Sequence, residues 1–264
     1  MTVQADVSRP IRPLPELLEA LRHRGLRQGV EPSGPMPSRP PLPTGQPALD
    51  AALGTGGWPY GALALLDAPP GSGATSLALG SLAACQAAGG VVAYLDPAGS
   101  LDPATAARLG VNLEWLLVVH PADAAEAVEL AGWLAREGRI DALVLDLADT
   151  ILPRGLDRLA GLLVRTGGVI LLLAGEGRVA AGRVVGVRVA LQRRAWLAVG
   201  RDLVGQRVEA TVTRQRWALA GDSAELDLYF AEGRRVDSLL RAAAAPLEER
   251  VEVVEGPALE VVSA

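Results

Sequence analysis

The 264-residue chain contains no lysine; all 25 of its basic residues are arginine. Such uniform use of arginine is the mark of a GC-rich coding preference, so a missing lysine at any one position says little about selection there. Cysteine is almost absent too. Cys85 stands alone, which excludes a disulfide framework and fits a reducing compartment. With five Trp, three Tyr and one Phe, a core has to be built from Leu, Val and Ala. No apolar run reaches the roughly 18 residues that a membrane span requires. The N-terminus lacks the apolar stretch of a signal peptide, so the expected location is the cytoplasm. His23 and His120 have no partners at metal-ligand or catalytic-triad spacing, and no metal site is predicted.

What is present is unevenly distributed. Segment 1–44 carries six Arg against four acids (+2), and segment 45–153 three against twelve (−9). Segment 154–216 carries twelve Arg against four acids (+8), and 217–264 four against ten (−6). A basic third quarter next to an acidic C-terminal segment suggests a surface that faces a polyanion. A solvated charged face produces the same pattern.

Three regions follow from composition. Residues 1–44 hold a short amphipathic helix over 14–27, with Leu14, Leu17, Leu18 and Leu21 on one stripe. After it comes a linker, with seven prolines in 31–47. Residues 45–235 form the body. Residues 236–264 form an acidic, Val-containing tail, the place to look for a partner-binding segment. Within the body, strands are predicted at 63–67, 91–96, 116–119, 142–146 and 169–173. Helices over 75–86, 103–109, 122–137 and 155–165 alternate with them. Continuously apolar strands separated by helices indicate a parallel sheet covered on both faces. Longer β-type runs, 187–199 and 206–217 joined across 200–205, then 225–230, predict an antiparallel end to the sheet.

The strand at 63–67 leads into Ala68-Pro69-Pro70-Gly71-Ser72-Gly73-Ala74-Thr75. This has the layout of a phosphate-binding loop, G-x-x-x-x-G-K-[ST], in which only Gly73 and Thr75 keep the fixed identities. Ala74 takes the lysine position, and that ammonium is the cation such a loop brings to the β/γ-phosphates.

From Pro43 to Phe230 the order of motifs resembles the RecA recombinase core. Thr44–Gly61 resembles the segment leading into that family's phosphate loop. Tyr94-Leu95-Asp96 with Arg108-Leu109-Gly110-Val111 resembles the next strand and helix, and Asp141–Asp146 the Walker B strand. Leu49–Leu53, Arg193–Trp196, Gly200–Gly205 and Thr213–Arg216 also resemble the ImuA group, RecA-like accessory proteins of inducible mutagenesis. The fold implied is α/β: a RecA-like core with a mostly parallel sheet flanked by helices and an antiparallel C-terminal hairpin extension.

The resemblance implies roles residue by residue. Thr75 and Asp146 match the positions that hold Mg²⁺. Ala98 stands where a glutamate would position the attacking water, Thr105 where an aromatic would stack on adenine, and Gly175 where a polar sensor would sit. Each such group is worth on the order of 10²–10³ in rate, so the site is expected not to hydrolyse ATP. Gly71, Ser72, Gly73, Thr75 and Asp146 are then a vestigial nucleotide site, with no cofactor required, although loop N–H groups can still hold a phosphate or ATP–Mg weakly.

DNA contacts are expected from Arg178 and Arg183 in the Gly-rich segment 175–186, and from Arg154 and Arg158. Single-stranded, sequence-independent and salt-dependent binding is implied. Arg214 and Arg216 match basic residues that reach the neighbouring subunit in RecA-like filaments. Self-association, DNA contact and a plain charged strand face at i, i+2 remain open for them. The partners implied are an ImuB-type polymerase with an error-prone polymerase alpha subunit, or RecA itself, and no membrane. A regulator of RecA filaments and a residual ATPase with a relocated arginine are the alternatives.

Overall fold

A computed structural model describes residues 37–148, 154–177, 185–199, 202–230 and 252–254. The predicted helix over 14–27, Arg178, Arg183 and all of the tail except 252–254 lie outside the described residues. Nine strands form one sheet: β1 (Leu63–Asp67), β2 (Val92–Leu95), β3 (Leu116–Val119), β4 (Ala142–Asp146), β5 (Val169–Ala174), β6 (Val187–Val199), β7 (Asp202–Gln215), β8 (Ser223–Tyr229) and β9 (Glu252–Val254). Their order is β3-β2-β4-β5-β1-β6-β7-β8, with β9 on β6. Pairings from β3 through to β6 are parallel, while β6–β7, β7–β8 and β6–β9 are antiparallel. The expected α/β architecture is therefore present, with its antiparallel extension.

Among the described residues, five α-helices accompany the sheet: α1 (Pro47–Ala52), α2 (Ala74–Ala87), α3 (Pro103–Arg108), α4 (Ala124–Glu137) and α5 (Leu156–Thr166). The apolar strands divide their side chains between two cores, because successive residues point to opposite faces. Ala64 and Leu66 of β1 join the α1–α2 side, whereas Leu63 and Leu65 join the α4–α5 side. This two-sided burial is why the strands read as unbroken Leu/Val/Ala runs.

Predicted bounds shift by no more than two residues, apart from the start of β7, which shifts by four. β7 begins at Asp202, so Asp202–Gly205 belongs to the strand and the reversal falls between Val199 and Asp202. β6 pairs with β1 only as far as Ala190, so the β6–β7 ribbon runs on past the end of β1. The edge this leaves on β6 at Trp196–Ala198 takes up β9, a pairing invisible in the composition of the tail.

The approach to the loop is tied to α2. Leu42 and Trp58 form an antiparallel bridge, and the fully buried Trp58 donates Nε1 to Ser81 Oγ at 2.9 Å. Ser81 Oγ in turn donates to the Thr44 carbonyl at 2.9 Å. Farther along α2, Cys85 is core, as its apolar neighbours suggest. Burial pushes its thiol up to about 11, with the Asp141 charge adding to the rise. The folded state thus favours the neutral thiol. That contribution is complete below the unfolded value near 9 and is lost as pH rises through about 11. Cys85 is expected to resist iodoacetamide at pH 8 until denaturant unfolds the chain. Cys85→Ala should lose less stability between pH 9 and 11, measured by denaturation across that window.

Candidate functional site

The loop lies at the C-terminal end of β1, where open α/β sheets bind their ligands. Gly73 caps α2 at φ 89° and Gly71 sits at φ 73°, left-handed backbone that only glycine adopts at no steric cost. Ser72 is buried and donates Oγ to the Pro69 carbonyl at 2.7 Å, which closes the turn. No side chain caps α2, so the N–H groups of its first turn are directed at the space above the loop. The loop thus has the turn of a phosphate-binding loop, with Ala74 as the first residue of α2.

That space is an open cavity of about 410 Å³. Gly71, Ser72, Gly73 and Thr75 line it, and so does Asp146 from the end of β4. The structure therefore brings together the five residues assigned to the vestigial site. Asp146 is mostly buried and accepts from Tyr94 Oη at 2.7 Å and from the Ala148 N–H at 3.2 Å. Burial, then the neighbouring carboxylate, holds the Tyr94 phenol well above its ordinary range, so it remains a donor. Thr75 and Asp146 are the residues that would hold a metal here.

The replaced positions sit as follows. Ala98 is exposed and off the cavity wall. Thr105 is hydrogen-bonded to Asp102 at 2.6 Å, where that carboxylate caps α3, and it does not reach the cavity. Gly175 lines the cavity, while Glu176 is exposed beside it. Among the described residues, no arginine lines the cavity.

Four features carry no signal in the sequence by itself. Gln206 of β7 and Phe230, just after β8, both line the cavity although they lie more than 130 residues from the loop. Phe230 packs near Trp196, ring centroids 6.1 Å apart. Arg193 stacks on Trp196 at 4.3 Å and donates Nη1 to the Gly71 carbonyl at 3.4 Å, so one guanidinium does touch the loop. Beneath it, Arg188 of β6 pairs with Asp67, the last residue of β1, through Nη2 at 2.5 Å and Nε at 3.0 Å. Asp67 also accepts the Gly177 N–H at 2.9 Å and so tethers the Gly-rich segment to the loop strand. The overhanging hairpin is the one hint of this arrangement, because strands that pass the end of β1 have to pass the loop.

Four of the arginines singled out in the sequence are described, two at the start of α5 and two at the end of β7. Arg154 and Arg158 are exposed at the start of α5, at the same end of the sheet as the loop. Arg214 pairs with Arg188, level with Leu65 of β1, while Arg216 N–H bonds the Gly186 carbonyl and Gly186 N–H bonds Leu63, the first residue of β1. Arg214 spends its Nε on the Val185 carbonyl at 2.7 Å. Arg216 is exposed, stacks over Trp217 at 5.6 Å and lines a shallow groove with Asp157. Gln215 between them points inward to the Leu53 carbonyl, as strand alternation requires.

Residues 38–161 match the family profile of the RecA N-terminal domain. Protein RecA of Clavibacter michiganensis is 33% identical over a 228-residue alignment that covers 73% of this chain and 63% of that protein. Protein RecA of Bifidobacterium breve is 31% identical, with coverages of 73% and 58%. Protein RecA of Frankia casuarinae is 43% identical over 120 residues, 44% of this chain and 35% of its own. The chain thus spans less than two thirds of these relatives. Among the described residues no helix is long and apolar enough to cross a membrane. With its sheet order, its loop after the first parallel strand and these relatives, the chain belongs to the RecA-like superfamily.

Proposed function

We infer that this chain is a RecA-like protein of DNA-damage metabolism that binds DNA as an accessory factor and does not hydrolyse ATP. The observation that carries this reading is a loop of intact shape with no arginine among the described residues of its cavity wall. Gly71 and Gly73 hold the turn, yet Ala74 offers no charge to a triphosphate, and Ala98 no carboxylate to a water. Asp146 is engaged by Tyr94 and the Ala148 N–H. The RecA relatives support a role on DNA. Exposed Arg154 and Arg158, at the end of the sheet from which Gly175–Gly177 emerges, supply phosphate contacts of the kind that position a strand without reading its sequence.

Within this role, the ImuA-like motifs favour a place in translesion synthesis at the nucleoid. An ImuB-type polymerase and an error-prone polymerase alpha subunit are the partners, and the tail at 236–264 is the docking segment. Regulation of RecA filaments is the competing role, and pull-down from damaged cells separates them by recovery of the polymerase pair or of RecA alone. A residual ATPase is favoured by one contact, Arg193 on Gly71, which puts a relocated cation against the loop.

One set of assays tests the main reading. ATP turnover with and without single-stranded DNA is expected at background, unchanged in Asp146→Ala and Arg193→Ala. Single-strand affinity is expected to fall steeply with salt. Each of Arg154→Ala, Arg158→Ala, Arg178→Ala and Arg183→Ala should reduce the salt slope by about 1, the change due to one phosphate left without its arginine. Turnover that disappears in Asp146→Ala overturns the non-hydrolytic reading. Binding indifferent to salt and to these arginines points to a protein scaffold.

A further inference from the structure

Asp146 is the one ionisable side chain among the described residues that line the loop cavity. The other oxygen groups on that wall are neutral. Ser72 donates its hydroxyl to the Pro69 carbonyl at 2.7 Å, and Ser100 donates to Asp96 Oδ1 at 3.3 Å. Gln206 Oε1 is fully buried without a hydrogen-bond partner, out of reach of an entering ion. A divalent cation here would therefore depend on Asp146, with the Thr75 and Ser76 hydroxyls as neutral ligands.

Strand pairing decides what Asp146 meets. Tyr94 of β2 stands opposite Val144 of β4, and Asp146 is two residues farther along, on the same face of the sheet. The Tyr94 ring is fully buried in the core on the α1–α2 side. Its hydroxyl donates to Asp146 Oδ2 at 2.7 Å, while Oδ1 accepts from the Ala148 N–H at 3.2 Å. A ring packed in that core keeps its hydroxyl in place, and turning the carboxylate away would leave the phenol a buried donor unmade. An aspartate carboxylate otherwise rotates broadly about χ2. Two donors fixed by the protein thus set its orientation, one of them reaching from an adjacent strand.

Mg²⁺ demands near-ideal octahedral geometry and dehydrates reluctantly. A single carboxylate with both oxygens already engaged from the protein side does not fit that demand. We propose that Tyr94 is a positioning residue that bars a divalent ion from the loop cavity, because its hydroxyl holds Asp146 toward β2 and gives the buried charge the partner that the ion would give. This rests on the reading that the site does not turn over ATP, and it traces the loss of the metal to one hydroxyl on the strand beside Asp146.

Tyr94→Phe keeps the ring and removes that hydroxyl. The full chain and this variant are titrated with Mn²⁺ alone, the free ion being read from its electron paramagnetic resonance signal. Tyr94→Phe is expected to bind one Mn²⁺ at least about tenfold more tightly than the parent, the change due to one charge-assisted hydrogen bond no longer competing. Mn²⁺ should then raise the unfolding midpoint of Tyr94→Phe more than that of the parent, which a purely structural role for the hydroxyl would not produce. Adding Asp146→Asn to Tyr94→Phe should abolish the gain. Equal Mn²⁺ affinity in the parent and Tyr94→Phe, or a gain that survives Asp146→Asn, overturns the proposal. So does a saturable Mn²⁺ site in the parent that disappears in Asp146→Asn, a result that needs no Tyr94 variant. Any of these with ATP turnover still at background sinks this inference alone, whereas turnover in the parent sinks the non-hydrolytic reading.

Discussion

Asp67→Ala is expected to lower stability by about 3–5 kcal/mol, since it leaves the Arg188 guanidinium in a mostly buried place without its counter-charge. The Asp67 side chain is 8% exposed and that of Arg188 17%, so solvent screens the pair little. The substitution also frees the Gly177 N–H, which bonds the same carboxylate. The pair itself is a different matter. Two charges desolvated together gain little over apolar residues of similar volume, so Asp67→Leu with Arg188→Met should unfold near the parent midpoint. Denaturant titrations of the two variants and the parent check both statements. A loss below about 0.5 kcal/mol for Asp67→Ala would show that water reaches the pair. Because Asp67 joins the loop strand to the Gly-rich segment, Asp67→Ala should also weaken single-strand binding, while the apolar pair leaves Gly177 equally untethered. Weakened binding in both variants assigns the effect to the tether.

Trp58→Ala should be about as damaging, at about 3–5 kcal/mol, the usual cost of deleting a large buried aromatic ring. Trp58 is fully buried, and its indole N–H is the donor that Ser81 Oγ accepts while that hydroxyl reaches back to Thr44. Trp58→Phe keeps most of the volume and loses mainly the hydrogen bond, so its cost should be about 1 kcal/mol. The separation between the two variants, read as unfolding midpoints at constant slope, divides packing from hydrogen bonding. Near-equal losses would mean that the Ser81 bond, and not the ring, holds the approach segment to α2.

These two predictions rest on contacts with very different legibility. Trp58 stands in the segment that resembles the RecA approach to the loop, so its structural importance is visible in the sequence. Its partner Ser81 is not, because a serine within a run of small helical residues carries no signal of what faces it. Asp67 reads as the last residue of a strand and Arg188 as one arginine among twelve in a basic quarter. They are 121 residues apart and meet because β6 lies beside β1 in parallel. Loop position 74 is legible because a local motif has fixed spacing. Gln206 and Phe230 are not, since they reach the cavity by a hairpin that overhangs the sheet. Arg214 and Arg216 look alike at i, i+2, yet one spends its Nε on a backbone carbonyl while the other lies open in a groove.

By itself, the sequence determined the alternation of apolar strands and helices, the two-sided sheet and the phosphate-type turn with no lysine. Those depend on periodicity and on local backbone preference, which act over a few residues. The tertiary structure alone decided which groups surround that turn: Asp146 held by Tyr94, Arg188 on Asp67, Arg193 at Gly71 and the orphan carboxamide of Gln206. Strand order and the overhang of one hairpin bring these groups together, and pairing between distant strands leaves little trace in local composition.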